Sequence, residues 1–425
     1  MKYFFSFILF IGILSGIHAQ HTAKDAIFAD FKLSGSNLCS YIEPANIIYT
    51  DAPKGYKPIY LSMYARHGSR HLSVYKDYEE PLVLLRKAYS KACISTLGKR
   101  TMSVIDSLER MAHGRIGELT IVGARQHQGI ARRIYEHFPE LFTNNTHVDA
   151  LSTPLQRTMM SMVNQCITLK ECCPQLTIKT DASQHDVWYM DTQDATAYRY
   201  RKTPEAVKAL KEYTKKTINP DRFVHAIFTD EQFIKENVNP REFMQQMFTL
   251  ANMVQNEGIN FDFYDIFKPE EIFSLWKRDN FKWYIEYSFN PLTYNKVPYT
   301  QVYLLRNIIS VADTCLMSAQ NNITLRFGHE VDLLPLACLM KLKDTDYSST
   351  NGDEVAEHWR NYNIYPMAGN IQLVFYRKAG SPDLVKILLN EREQTIPLHS
   401  ATAPYYKWED VRNYYLSILN QAPKE

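Results

Sequence analysis

One stretch constrains this chain more than any other: "YLSMYARHGSRH", Tyr60 to His71. An apolar run of strand length ends abruptly on two arginines, two histidines and a glycine. Such a run, bounded by a glycine turn, reads as a buried strand. Charged groups at the carboxyl end of a buried strand open into the crevice where open α/β sheets hold their ligands. Gly68 lets the backbone approach a ligand closely. In a core, each unpaired guanidinium would cost several kcal/mol. Around a phosphate, Arg66 and Arg70 would meet oxygens that match the arginine fork, with His67 between them. The competing reading is a solvated basic turn that happens to contain a histidine.

The rest of the chain supplies a frame for that strand. From about Pro81 to His137 apolar residues recur three to four apart, with "LTIVGARQHQG" as a loop before a third helix. "THVDALSTPLQRTMMSMVNQCI" reads as a short strand, a turn and a helix carrying Arg157 in its first turn. Thr196 to Asn290 is helical and polar. "NITLRFGH" is again strand-like, "DLLPLACLMKL" helical, and "NIQLVFYR" and "LVKILLNER" read as paired strands. The expected fold is therefore α/β: a three-layer α/β/α sheet domain from residues 20–160 and 300–425, with a mostly helical insertion at 161–299.

Composition excludes more than it identifies. With 425 residues, 45% of them hydrophobic, the chain can bury a large core, and a net charge of +2 gives no basis for nucleic-acid binding. Residues 1–19 carry Lys2, an apolar stretch to Ile17 and a small residue at Ala19, which reads as a secretory signal cleaved before Gln20. No later segment reads as a membrane span, so the expected location is periplasmic or secreted. Asn144 and Asn322 open sequons that matter only in a eukaryote. Seven cysteines cannot all pair within the chain, and no C-x-x-C motif exists for zinc.

Two further segments hold candidate site residues. "STPLQRT" puts Arg157 at a helix start, where free N–H groups also favour an anion. "LRFGHEVDLLPL" ends a second strand on Gly328-His329 and begins a helix with Glu330 and Asp332. The zinc-protease pattern H-E-x-x-H fails there, because its fifth position is Leu333. A strand-end histidine that only satisfies hydrogen bonds, and acids that only cap a helix, are the plainer alternatives.

Taken together, "YARHGSR", "STPLQRT", "LRFGHEVDLLPLACLM", "PMAGNIQLVFYRK" and "VKILLNERE" resemble the histidine acid phosphatases, and among them the multiple inositol polyphosphate phosphatases, which are phytase-like. "LWKRDNFKWYIEY" and "PYYKWEDVRNYY" extend the likeness, from about residue 55 to near the C-terminus. The vertebrate members' retention signal is absent, since the chain ends "QAPKE". The resemblance implies hydrolysis without cofactor or metal. His67 would attack phosphorus and form a phosphohistidine. Arg66, Arg70, Arg157 and His329 would clamp the phosphoryl oxygens, and a carboxylic acid would protonate the leaving alcohol.

One departure matters. The inositol phosphatases usually read His-Ala-Glu, whereas here the acids stand one and three residues after His329. Glu330 matches the His-Asp register of the wider phytases and is the expected donor. Asp332 is the reserve, unless it caps a helix beginning near Leu333. Candidates for holding the other phosphates of an inositol polyphosphate are His71, Lys76, Arg125, Arg199, Arg201 and Lys202, each of which could equally be a solvated surface charge. The rivals are a less selective acid phosphatase acting on sugar phosphates and a weakly active inositol-phosphate-binding protein.

Overall fold

The computed structural model describes residues 22–44, 46–191, 199–259, 261–318 and 320–423. The expected signal sequence lies outside them. The opening run forms β1 (Lys57–Arg66), buried almost throughout, near the middle of an eight-stranded sheet. The other strands are β2 (His147–Ser152), β3 (Thr177–Asp181), β4 (Asn322–Gly328), β5 (Asn370–Arg377), β6 (Leu384–Leu389), β7 (Arg392–Glu393) and β8 (Tyr405–Lys407). Their order is β3-β2-β4-β1-β5-β6-β7, with β8 also paired to β6. The first four are parallel, and β5 to β8 add an antiparallel half. Arg66 pairs with Gly328 and Ser152 with Phe327, so β1, β2 and β4 end level with one another.

Alternation along β1 makes the layers. Leu61, Met63 and Ala65 pack against the helices Ile121–His137 and Gln156–Cys172. Tyr60 and Tyr64 face the helices Val302–Leu316, Glu330–Leu339 and Trp408–Leu419. This is the α/β/α arrangement expected from the sequence, and β5 and β6 pair as read.

Three expectations are corrected. The boundary at residue 160 falls inside a sheet-covering helix, and β3 continues the sheet to Asp181, so the helical insertion begins later. The helical region has its own core, built mainly from two parts of the chain, in which Tyr78, Leu82, Ile105 and Leu108 pack with Phe223, Phe243, Met247 and Trp276, with smaller contributions from residues 23–39 and 356–367. Helices at 76–112 therefore belong with it, because their apolar stripes face residues 218–276 rather than the sheet. Finally, "LTIVGARQHQG" is mostly helix: Thr120 caps it by accepting from Gly123 N, and the helix starts at Ile121.

All seven cysteines are free. Among the described residues no helix is long and apolar enough to cross a membrane.

Candidate active site

The turn after β1 is held from three sides by backbone bonds. Arg66 N donates to Gly369 O (2.8 Å), His67 N to Gly328 O (3.0 Å), and Ala368 N to His67 O (2.9 Å). Gly68 N donates to Ser161 Oγ (3.0 Å). A Cβ on Gly68 would lie 2.5 Å from Gly123 O, so only glycine lets the turn meet the start of the Ile121–His137 helix. Ser69 N donates to Gln126 Oε1, and Ser69 Oγ donates to Asn256 Oδ1, which ties the turn to the helical region.

This scaffold fixes the His67 ring. Its Nδ1 lies 2.8 Å from Gly68 O. A carbonyl only accepts, so Nδ1 carries the proton and Nε2 keeps its lone pair. Nε2 points toward Glu330 Oε2, 3.6 Å away. Burial, reinforced by Arg66 and Arg70 and opposed by Glu330, holds the imidazole well below its ordinary pKa. His67 is thus a neutral base with a free nitrogen.

Around it stand three guanidinium groups, each lowered by burial. Arg66 is fully buried. Its Nη1 donates to Tyr365 O (2.9 Å) and its Nη2 to Asn37 O (2.7 Å). Its Nε lies 3.0 Å from Glu330 Oε2, an ion pair too poorly aligned to count as a hydrogen bond. Burial, with Arg70 and Arg157 adding to it, brings the Arg66 pKa down to about 10 against the pull of Glu330. Arg70 donates from Nη1 to His71 O (2.9 Å), and burial lowers it as well. Arg157, half-buried in the first turn of its helix, is lowered by burial and by Arg70. The Nε atoms of Arg70 and Arg157 are buried without a hydrogen-bond partner.

His329 enters from the end of β4, its ring 5.6 Å from that of His67. Thr158 Oγ1 donates to the carbonyls of Thr153 and Leu155, and Thr153 Oγ1 donates to Thr158 Oγ1. Thr153 therefore has only a lone pair left for His329 Nε2, 3.0 Å away, which fixes that nitrogen as the donor. Burial brings the His329 pKa down to about 4. Tyr64 Oη accepts from His329 N (3.3 Å) and donates to Met190 O (3.0 Å). A Cβ on Gly328 would fall 2.0 Å from that oxygen.

The two acids part company. The helix begins at Glu330, with His329 at its cap, so Asp332 lies inside the first turn and does not cap a helix starting near Leu333. Glu330 faces the cluster. Burial alone would raise its pKa, but the Arg66 and Arg70 guanidiniums outweigh burial and hold it ionised. Asp332 accepts from Gln301 Nε2 (3.1 Å). Burial, with Asp191 adding to it, raises Asp332 well above the carboxylate range, so it is neutral.

Of the six residues considered for further phosphates, two are engaged elsewhere. His71 Nδ1 lies 2.9 Å from Glu257 Oε1. Arg201 sits over the Tyr287 ring at 4.2 Å, with Nη2 3.5 Å from Glu286 Oε2. Lys76, Arg125, Arg199 and Lys202 are exposed. Sequence reasoning missed Tyr64, Thr153, Asp191 and Gln301, which hold or charge the site. Tyr64 and Thr153 carried a signal, since they lie in the same short segments as Arg66 and Arg157.

His67, His329 and Glu330 bring three metal-type ligand atoms within 4.8 Å of one another. Three guanidiniums crowd the same space, and that charge suits an anion rather than a cation.

The fold and the cluster define a class: an α/β protein with an anion pocket and a free imidazole nitrogen at the carboxyl edge of its parallel strands. The chain belongs to the histidine phosphatase superfamily (branch 2), whose family model matches residues 60–390, and with that family it is a phosphatase. Its fold is similar to that of the Bifidobacterium longum multiple inositol polyphosphate phosphatase in complex with inositol hexasulfate. The TM-score is 0.75 at 17% identity, over 90% of this chain and 97% of that one. It is also similar to the phytase from D. castellii (TM-score 0.65, 15% identity, 92% and 86% covered). A third likeness is to Hafnia alvei phytase in complex with myo-inositol hexakis sulphate (TM-score 0.53, 13% identity, 88% and 98% covered). No curated protein sequence matches the chain.

Proposed function

We propose that the protein is an exported phosphomonoesterase that hydrolyses inositol hexakisphosphate and other inositol polyphosphates through a phosphohistidine on His67. The observation that carries this reading is the His67 Nδ1–Gly68 O contact, which leaves Nε2 free and aimed into the arginine cluster. Nε2 attacks phosphorus in line, the bond from phosphorus to the inositol oxygen breaks, and the Gly68 carbonyl steadies the positive charge that develops on the ring. Arg66, Arg70 and Arg157 take the phosphoryl oxygens, and His329 joins them from Nδ1 once the bound anion raises its pKa and protonates that nitrogen.

Glu330 is the acid. In the empty site the arginines hold it ionised, but a bound phosphoryl group competes for the same guanidiniums and places a like charge beside the carboxylate. Both effects raise its pKa, so it takes up the proton that it then gives to the leaving oxygen. Afterwards it draws a proton from the water that releases phosphate from His67. Asp332 already holds a proton but lies on another side of the helix, against Gln301, and remains the reserve. Export rests on the signal-like character of residues 1–19.

The test is a phosphate-release time course on inositol hexakisphosphate with product isomers resolved, beside a simple sugar phosphate and a His67→Ala control. Rapid release from the hexakisphosphate, lost in the variant, is expected. A strong preference for the sugar phosphate would establish the second reading, a less selective acid phosphatase. That reading is favoured by the engagement of His71 with Glu257 and of Arg201 with Glu286.

A further inference from the structure

The carboxylate of Glu330 stands where a phosphoryl group has to go. Its Oε2 lies 3.0 Å from Arg66 Nε and 3.6 Å from His67 Nε2. A nitrogen of His329 falls within 4.8 Å of both His67 and Glu330. A phosphorus atom poised for attack must come within about 3–3.5 Å of Nε2. Its oxygens would then need the volume that Oε2 fills. They would also compete for the same donor, because Nε is the Arg66 nitrogen that Glu330 occupies, while Nη1 and Nη2 each spend one N–H on the carbonyls of Tyr365 and Asn37. The site is closed as well as filled: Arg66 is 0% exposed, His67 1% and Glu330 8%.

We infer that Glu330 is an internal stand-in for phosphate. In the empty enzyme it neutralises the arginine cluster and closes the pocket, and an incoming phosphoryl group binds only by displacing it. Nothing covalent changes in that exchange: one anion leaves the guanidiniums as another arrives. The first helical position suits the task, since rotation of one side chain about its own bonds moves the carboxylate while the helix Glu330–Leu339 stays intact. The apparent affinity for any phosphate ester is thus the difference between its own contacts and those that Glu330 gives up. This inference rests on the anion-pocket part of the proposed function and not on the identity of the substrate.

The test is calorimetric binding of inorganic phosphate to the full chain as wild type, Glu330→Gln and Glu330→Asp, joined to a crystal structure of the wild type with phosphate. Losing a competing charge-assisted contact should tighten phosphate binding by about tenfold or more in Glu330→Gln, although that variant turns over slowly. Glu330→Asp keeps the charge on an arm too short to reach Arg66, so it too should bind more tightly than wild type. In the phosphate-bound crystal a phosphate oxygen should occupy the place beside Arg66 Nε. Unchanged or weaker binding by Glu330→Gln overturns the inference. So does tightening confined to Glu330→Gln, which would mean simple charge repulsion, or a bound phosphate with Glu330 still against Arg66. Failure to hydrolyse inositol hexakisphosphate would sink the substrate assignment and leave these binding outcomes readable.

Discussion

Gly328 offers the sharpest test of how the site is built. A methyl group there would lie 2.0 Å from Tyr64 Oη and 2.7 Å from Tyr64 Cζ, and neither residue has room to yield. Gly328→Ala must push the Tyr64 ring out of its slot. That shift costs the overpacking strain of a filled core, about 1–3 kcal/mol. It also breaks the bonds from Tyr64 Oη to Met190 O and from His329 N to Tyr64 Oη, each worth about 1 kcal/mol. The sum, about 3–5 kcal/mol, is readable by urea denaturation, and activity should fall with it because His329 loses its backbone anchor. Tyr64→Phe in the Gly328→Ala background removes the nearest clashing atom and should recover part of the stability, a coupling that a double-mutant cycle isolates. A loss below about 0.5 kcal/mol in the single variant, or a strictly additive double variant, would refute the packing argument.

Three other expectations concern charge. Glu330→Gln should slow release of an alkyl leaving group far more than release of nitrophenolate, which needs little protonation, whereas Asp332→Asn, which swaps one neutral group for another, should leave both rates within a few-fold of wild type. The reverse ranking would move the donor to Asp332. Stability should fall as pH drops from 6.5 toward 4, because His67, His127 and His329 have native pKa values below the unfolded one, about 4 for the last two, so the unfolded chain takes up protons that the native protein refuses. Asp332, raised in the native state, works in the opposite sense over the same window. The net of roughly two protons corresponds to a slope of up to about 2.7 kcal/mol per pH unit, and a flat denaturation midpoint over that range would contradict it. A chelator such as EDTA should leave hydrolysis unchanged, and loss of activity reversed by added metal would count against an anion-only pocket.

Much of this was legible in the chain itself, and the rest was hidden for identifiable reasons. β1 and β4 announce themselves because each is an apolar run ended by charge and glycine, and their ends carry His67 and His329. β3 is "TIKTD", mostly exposed at the sheet's edge, so its pairing with β2 leaves no apolar pattern to read. The helical region draws on residues 78–108 and 218–276, and local periodicity cannot say which distant stripe covers which. The contrast between Glu330 and Asp332 was invisible for a similar reason. Two positions apart on a helix they point different ways, and their protonation is set by Arg66 and Gln301, which are remote in sequence.

The bonds that fix the His67 turn have a consequence for when activity can arise. Their partners are Gly328, Ala368 and Gly369, about 260 to 300 residues further along the chain. During synthesis the Arg66–His67 segment is among the earliest parts made, yet the backbone bonds of these two residues cannot form until β4 and the approach to β5 exist. A nascent chain that stops short of Gly369 carries the nucleophile without its setting. Catalytic competence is therefore a late event, reached only when the last third of the molecule folds back onto the first.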